Sequence, residues 1–117
     1  MTPPLLEVRD LRVGFGRGGV FADAVRGISL RVNPGEVLGI GGLIGAGRTE
    51  LLLALFGAPP GRRGGTIAVA GHAAAIGSPA AALALGLALL AEDRAALGLY
   101  PDRTVADNVT LAALRSL

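Results

Sequence analysis

The run of residues best suited to chemistry is glycine-rich and spans positions 42–49. Its spacing fits the pattern G-x-x-x-x-G-[K]-[ST], and Arg48 occupies the position that the pattern gives to lysine. Glycines let such a loop turn sharply and point successive backbone N–H groups at anionic oxygens, while the helix that follows adds its positive N-terminal end. The run therefore predicts a phosphate-binding loop. The alternative is a glycine-rich turn that binds nothing.

The candidate phosphate donors are backbone N–H groups near the end of this loop. They belong to Gly45, Ala46, Gly47, Arg48 and Thr49. The hydroxyl of Thr49 would offer an oxygen to Mg²⁺, a hard cation that prefers oxygen ligands. We expect these groups to bind Mg-ATP or ADP weakly.

Arg48 decides how much catalysis the loop can support. Lysine reaches over such a loop as a slender point charge, whereas the planar guanidinium cannot take the same place with the same donors. Electrostatic binding of a nucleotide tolerates this change, but efficient stabilisation of a transferring γ-phosphate needs donors fixed in position. Because the chain contains no lysine, a simple exchange of lysine for arginine explains the residue equally well at this point.

The elements around the loop are predicted in the order strand, loop, helix. Residues 37–40 form a short continuous apolar run, which is typical of a strand covered on both faces in a parallel sheet. Residues 49–56 are strong helix formers, and Gly57 ends the run. We therefore expect a central strand to enter the loop and a helix to leave it.

Further strands follow from apolar patterning. Polar and apolar residues alternate at the start of the chain until a glycine-rich break at residues 14–19, and a predicted turn occupies residues 33–36. A second continuous apolar run is predicted to be a buried strand, like the one before the loop. The predicted strands outside the loop region are residues 6–13, 28–32, 66–70 and 87–91.

Capping signals predict two more helices. Ser78 followed by Pro79 marks the start of a short helix over residues 79–85. Thr104 and Asp107 have the spacing of a capping box, which predicts an amphipathic helix that runs to about residue 114. His72, the sole histidine, follows a strand and is interpreted as a turn residue rather than a ligand or a base.

Composition excludes several classes of protein. The chain has 117 residues, enough for one domain or part of one, and the absence of cysteine excludes a disulfide framework and thiolate metal sites. All 11 basic residues are arginine and the net charge is only +2, so we expect no nucleic-acid partner. The uncharged stretch at residues 73–91 is interrupted by glycine and proline and is rich in alanine, which argues against a membrane span.

These motifs resemble those of ATP-binding cassette subunits, and more closely the second cassette of the fused ATPase subunit in ribose, galactose and xylose importers. The loop of that cassette also reads AGRTEL, so the resemblance favours an inherited, functional Arg48 and extends the candidate nucleotide site to Gly42 and Glu50. It implies an α/β P-loop NTPase core, partial, with a mixed β-sheet and flanking helices. The matching segments are PGEVLGI, GLIGAGRTEL, LFG, SP, EDR, GL and VADNV, within residues 34–109.

Two further site residues are implied by the resemblance alone. Glu92 lies where other cassettes carry the Q-loop glutamine, which senses Mg²⁺ and the attacking water and couples to the permease. The alternative for Glu92 is a solvated charged turn. Phe15 aligns with the aromatic residue that stacks on adenine in many cassettes, although a packing role explains it equally well. The candidate metal ligands are thus Thr49 and Glu92.

The same resemblance implies motifs that residues 1–117 do not contain. They are the Leu-Ser-Gly-Gly signature, the Walker B strand with its catalytic glutamate, and the switch histidine. We therefore interpret residues 1–117 as part of a nucleotide-binding domain, without a catalytic residue of its own and not expected to hydrolyse ATP alone.

The implied function is an ATP-binding component of a sugar importer, with ATP and Mg²⁺ as cofactors. Its expected partners are membrane permease subunits and a second cassette, which would hold it at the cytoplasmic face of the membrane. The alternative is a non-catalytic interaction module that docks on a permease or a partner cassette.

Overall fold

A four-stranded antiparallel sheet organises the chain in a computed structural model, which describes residues 1–17, 20–58 and 62–116. Helix α1 follows the first two strands, and three short helices follow the last strand, so the chain combines α and β elements. The strands lie in the order β2-β1-β3-β4. Their bounds are β1 Leu6–Arg17, β2 Val20–Val32, β3 Arg62–Val69 and β4 His72–Ala73. The helices are α1 Arg48–Leu55, α2 Pro79–Ala84, α3 Arg94–Leu97 and α4 Val105–Thr110, and a 3-10 helix continues α4 over Leu111–Ser116.

A bulge in β1 keeps its apolar side chains on one face of the sheet. Val8 is buried, but the next buried side chains are Leu11 and Val13, so the alternation skips one residue. The skip coincides with Asp10, which has a φ of 50°, and with irregular pairing of β1 to both of its neighbours. The Asp10 N–H donates to the Ser29 hydroxyl at 2.9 Å. The extra residue thus returns Leu11 and Val13 to the buried face of the sheet that Val8 occupies.

The hydrophobic core lies between the sheet and the first two helices. Helix α1 buries Leu51, Ala54 and Leu55, whose spacing places them on one face of a helix. Ala82 of α2 is fully buried. The sheet and the segment before α2 supply the other members, which are Val8, Leu11, Val13, Val25, Ile67 and Ile76. This core holds α1, and with it the preceding loop, against the sheet.

The local capping and turn predictions are confirmed. The Ser78 hydroxyl accepts the Ala81 N–H at 3.2 Å. Thr104 and Asp107 form both hydrogen bonds of a capping box. In the turn at residues 33–36, the Glu36 N–H donates to the Asn33 carbonyl oxygen at 3.1 Å. Each of these bonds joins residues three positions apart, so sequence alone determines it.

The predicted mixed sheet is wrong for the described residues, where every strand pairing is antiparallel. The predicted strands at residues 37–40 and 87–91 are not strands. Val37 and Leu90 are instead 95% and 96% exposed. An apolar run becomes a strand only when a neighbouring strand completes its backbone hydrogen bonds, and no described strand pairs with these runs.

Several element boundaries also differ from prediction. A glycine-rich break is expected at residues 14–19, but β1 continues without interruption to Arg17, so the prediction is wrong for residues 14–17. Residues 18 and 19 lie outside the described part of the chain. Strand β3 begins at Arg62, four residues before the predicted start at residue 66. The last helix changes to 3-10 geometry at Leu111. His72 lies in β4, with its Nδ1 3.0 Å from the Ala70 carbonyl oxygen, just after the turn.

Candidate functional site

The start of α1 presents backbone donors that the helix does not use. Gly47 is the N-cap residue, and no side chain caps this end. The Leu51 N–H donates to the Gly47 carbonyl oxygen at 2.9 Å as the first hydrogen bond of the helix. The N–H groups of Arg48, Thr49 and Glu50 therefore have no acceptor within the helix. They give this end of α1 a positive potential that favours an anion.

Gly47 has no substitute at this position for two reasons. Its φ is 89°, in the left-handed region that only glycine adopts without strain. A Cβ atom here would lie 2.4 Å from the Ala24 carbonyl oxygen of β2, well inside van der Waals contact. The loop therefore touches the sheet backbone at Gly47, and this contact fixes where the N-terminus of α1 lies.

The preceding loop folds back on itself through a tight turn. The Ala46 N–H donates to the Leu43 carbonyl oxygen at 3.0 Å, so this predicted phosphate donor is engaged within the loop. Gly45 also has a positive φ, of 83°, but its surroundings are open. At Gly42 a Cβ would lie 3.0 Å from the Cβ of Ala46. The turn thus brings Gly42, the first glycine of the pattern, beside Ala46, the residue that precedes the N-cap.

Thr49 and Glu92 line the same cavity, which has a volume of about 730 Å³. They are distant in sequence, and the structure brings them to one cavity along α1, which Leu52 and Leu53 of that helix also line. Asp93, next to Glu92, accepts the Ala96 N–H at 3.1 Å and so caps α3. Glu92 thus immediately precedes a capped helix. Mg²⁺ typically binds one or two protein groups together with substrate phosphates and waters, and a hydroxyl and a carboxylate fit that chemistry.

A second cavity, of about 320 Å³, lies between the loop and β2. Gly47 and Arg48 line it from the loop side, and Arg26 lines it from β2. Sequence reasoning missed this contact of the loop with β2, because it depends on the pairing of β2 and on the docking of α1 against the sheet.

Phe15 is not brought to the loop. It lies on β1 opposite Ala22, is 40% exposed, and lines neither cavity. The remaining predicted nucleotide residues, from Gly42 to Glu50, share the loop and the first turn of α1. The structure therefore brings Thr49 and Glu92 to one cavity beside α1, and Phe15 lines neither this cavity nor the one between the loop and β2.

No helix among residues 1–17, 20–58 and 62–116 combines the length and the apolar character needed to cross a membrane.

The chain is similar in sequence to sugar import ATP-binding proteins. Over 87 residues, 74% of this chain, it is 48% identical to the xylose import ATP-binding protein XylG of Ralstonia nicotianae. Over 108 residues, 92% of this chain, it is 46% identical to the ribose import ATP-binding protein RbsA of Burkholderia pseudomallei. These matches span 17% and 19% of the relatives, respectively. No protein-family model matches the chain.

Proposed function

Over most of its length this chain is homologous to sugar import ATP-binding proteins, and we propose that it binds Mg-ATP as part of an importer of the ATP-binding cassette type. One observation carries the proposal. The glycine loop delivers an uncapped helix N-terminus, whose free N–H groups at Arg48, Thr49 and Glu50 suit a phosphate. The residues involved are those of the predicted phosphate-binding loop.

The phosphates occupy the space in front of α1. The N–H groups of Gly45 and Gly47 join those of the first helical turn as donors, and Arg48 adds a positive charge from its exposed position. Backbone donors held by the Gly47 contact with β2 require no rearrangement on binding. Such preorganised donors are more effective than flexible side chains.

The metal belongs on the side of α1 that faces the larger cavity. There Thr49 and Glu92 supply one hydroxyl oxygen and one carboxylate, and the phosphates and water complete the coordination. Apolar residues, including Leu52 and Leu89, line the rest of the same cavity.

Residues 1–117 form, in this proposal, the P-loop and Q-loop part of a nucleotide-binding domain. The importer's permease subunits and a second cassette are its partners, and they place it at the cytoplasmic face of the membrane. Sugar specificity lies outside this chain, since its proposed ligand is the nucleotide.

A second candidate function is a docking module without nucleotide. The apolar residues before and within the loop favour it, because Leu43 is 86% and Ile44 100% exposed. Exposed apolar patches commonly mark interaction sites. The two functions differ in whether phosphate binds at α1.

Magnesium-dependent binding of a fluorescent ATP analogue to the full chain separates them. We expect saturable binding that Mg²⁺ strengthens and that unlabelled ATP competes away. Thr49→Val keeps the side-chain shape and removes the hydroxyl, so it should abolish the magnesium effect. Thr66→Val, at an exposed position on β3, is the matched control and should behave like the parent. Absence of binding at millimolar nucleotide would favour the docking module.

A further inference from the structure

We propose that the exposed face of the sheet is a docking surface for an acidic protein segment in extended conformation. Four arginines of β1 and β2 carry the proposal, and we call them the arginine strip: Arg9, Arg12, Arg26 and Arg31. The strip lies on the side of the sheet that faces away from α1. The proposal is therefore independent of the nucleotide site proposed above.

The alternation of side chains places Arg12 and Arg26 on the face opposite the core. Arg12 is exposed between Leu11 and Val13, which are both fully buried. Arg26 is exposed directly after buried Val25 and is paired with Arg12 across the β1–β2 ladder. Since successive side chains of a strand point to opposite faces of a sheet, both arginines leave the sheet on its outer side.

Arg9 and Arg31 lie on the same outer face, on the other side of the bulge at Asp10. Arg9 follows buried Val8, and Arg31 follows Leu30, which pairs with Val8. The side chain of Arg9 is 69% exposed. The bulge, which keeps the apolar residues of β1 on one face, thus keeps its arginines together on the other.

The guanidinium group of Arg12 extends over β2, close to Arg26. Its Nη2 atom lies 3.7 Å from the position that a Cβ would take at Gly27, the residue after Arg26. Like charges at opposed positions destabilise a sheet. A carboxylate bound between Arg12 and Arg26 would remove this repulsion.

The strip carries an excess of positive charge. The salt bridge found among residues 1–17, 20–58 and 62–116 joins Arg9 to Glu7 at 2.9 Å. Within those ranges, no hydrogen bond or salt bridge engages the guanidinium groups of Arg12, Arg26 and Arg31. These groups therefore keep their donors for an external anion, and a guanidinium group binds a carboxylate through two parallel N–H bonds.

The shape of the strip favours an extended chain as its occupant. Arg26 and Arg31 lie on one strand, roughly 15 Å apart at about 3.3 Å per residue, and the strip is only two strands wide. An extended peptide presents side chains on one face about every 7 Å. Two or three carboxylates at alternating positions of a peptide would thus match the length of the strip.

The residues around the strip favour a protein over a nucleic acid or a membrane. Gly64, Thr66 and Ala68 of β3 pair with β1 alongside it, so they offer no aromatic ring for the base stacking that single-stranded nucleic acids use. Glu7 lies within the strip, opposite Arg31. Its carboxylate repels a continuous polyphosphate backbone or an anionic lipid surface, whereas a peptide can place an uncharged residue there.

The test measures binding of a fluorescent peptide of alternating glutamate and threonine to the full chain, in the absence of nucleotide. We expect saturable binding that salt weakens, and none for the same peptide with glutamine in place of glutamate. Arg12→Gln combined with Arg26→Gln should weaken binding about five- to thirtyfold, whereas lysine at both positions keeps the charge and should retain most of the affinity. Arg94→Gln combined with Arg103→Gln removes the same charge from exposed positions outside the sheet. This matched control should bind within about twofold of the parent.

Three results would overturn the proposal. Equal weakening by the two glutamine pairs would mean that net charge, and not the strip, attracts the peptide. A parent that fails to bind the peptide at low salt has no such docking surface. Tighter binding of a single-stranded oligonucleotide or of phosphatidylserine vesicles, lost in the same strip variant, would show that the partner belongs to another class. If the strip glutamine pair does not fold, Arg31→Gln replaces it and should weaken the peptide about two- to fivefold; unchanged affinity in that variant would likewise refute the strip.

Discussion

Gly47→Ala is the substitution that most directly tests how the loop is anchored. Two effects add at this position. An alanine at a φ of 89° adopts a left-handed conformation that costs roughly 1–2 kcal/mol. Its Cβ would also meet the Ala24 carbonyl oxygen at 2.4 Å, and overpacking of this kind costs about 1–3 kcal/mol. We expect a total loss of about 2–5 kcal/mol, a large part of the ~5–15 kcal/mol typical of a folded domain.

Gly45→Ala is the matched control because it shares only the first effect. Gly45 has a φ of 83°, and nothing lies within 4 Å of the position that a Cβ would take there. It should lose roughly 1–2 kcal/mol. The difference between the two variants isolates the contact between the loop and β2. Urea denaturation followed by far-UV circular dichroism measures both free energies of unfolding, and a nucleotide titration measures whether the loop has moved.

Equal destabilisation by Gly47→Ala and Gly45→Ala would refute the reasoning. It would mean that the loop does not touch Ala24, and that the backbone conformation alone accounts for glycine at both positions. If Gly47→Ala bound nucleotide as tightly as the parent, phosphate binding would not depend on where the loop is anchored.

Four further predictions concern the loop charge, the last helix, association and catalysis. Arg48→Ala should weaken nucleotide binding by about tenfold or more, whereas Arg48→Lys should bind as well as the parent or better; equal affinities for alanine and arginine would show that Arg48 points elsewhere. Thr104→Ala should destabilise α4 by about 1 kcal/mol, seen as faster amide hydrogen exchange confined to that helix; unchanged exchange would mean that the capping box contributes nothing. Ile44→Ser combined with Leu90→Ser should reduce concentration-dependent association in analytical ultracentrifugation, because both side chains are nearly fully exposed; a monodisperse parent would contradict this. The chain alone should release no phosphate from ATP above background, and a magnesium-dependent rate that Thr49→Val abolishes would overturn that expectation.

The predictions that succeeded concern interactions between near neighbours. The caps at Ser78 and Thr104 and the helix that begins at Arg48 depend on residues within one helical turn. The loop pattern fixes glycine at positions 42 and 47, and Gly47 lies where the backbone has a positive φ. Local sequence determines such features because the same residues supply both the signal and the bond.

The predictions that failed needed a partner from elsewhere in the chain. The apolar runs at residues 37–40 and 87–91 indicated burial, but hydrophobicity does not say which strand completes their hydrogen bonds. The contact between the loop and β2 at Gly47 could not be found from sequence, because it depends on where α1 docks on the sheet. Phe15 lies on β1 opposite Ala22, and its role in stacking on adenine stays a prediction.

Amide chemical-shift mapping with Mg-ATP tests the central claim most directly, because the proposed donors are backbone N–H groups. In two-dimensional ¹⁵N–¹H spectra of the full chain, we predict that the largest shifts fall on Gly45, Gly47, Arg48 and Thr49, with a magnesium-dependent shift at Glu92. The amides of β4 and α4 should remain unchanged. Shifts concentrated away from the start of α1, or no shifts at millimolar Mg-ATP, would contradict the assignment of this loop as a phosphate-binding site.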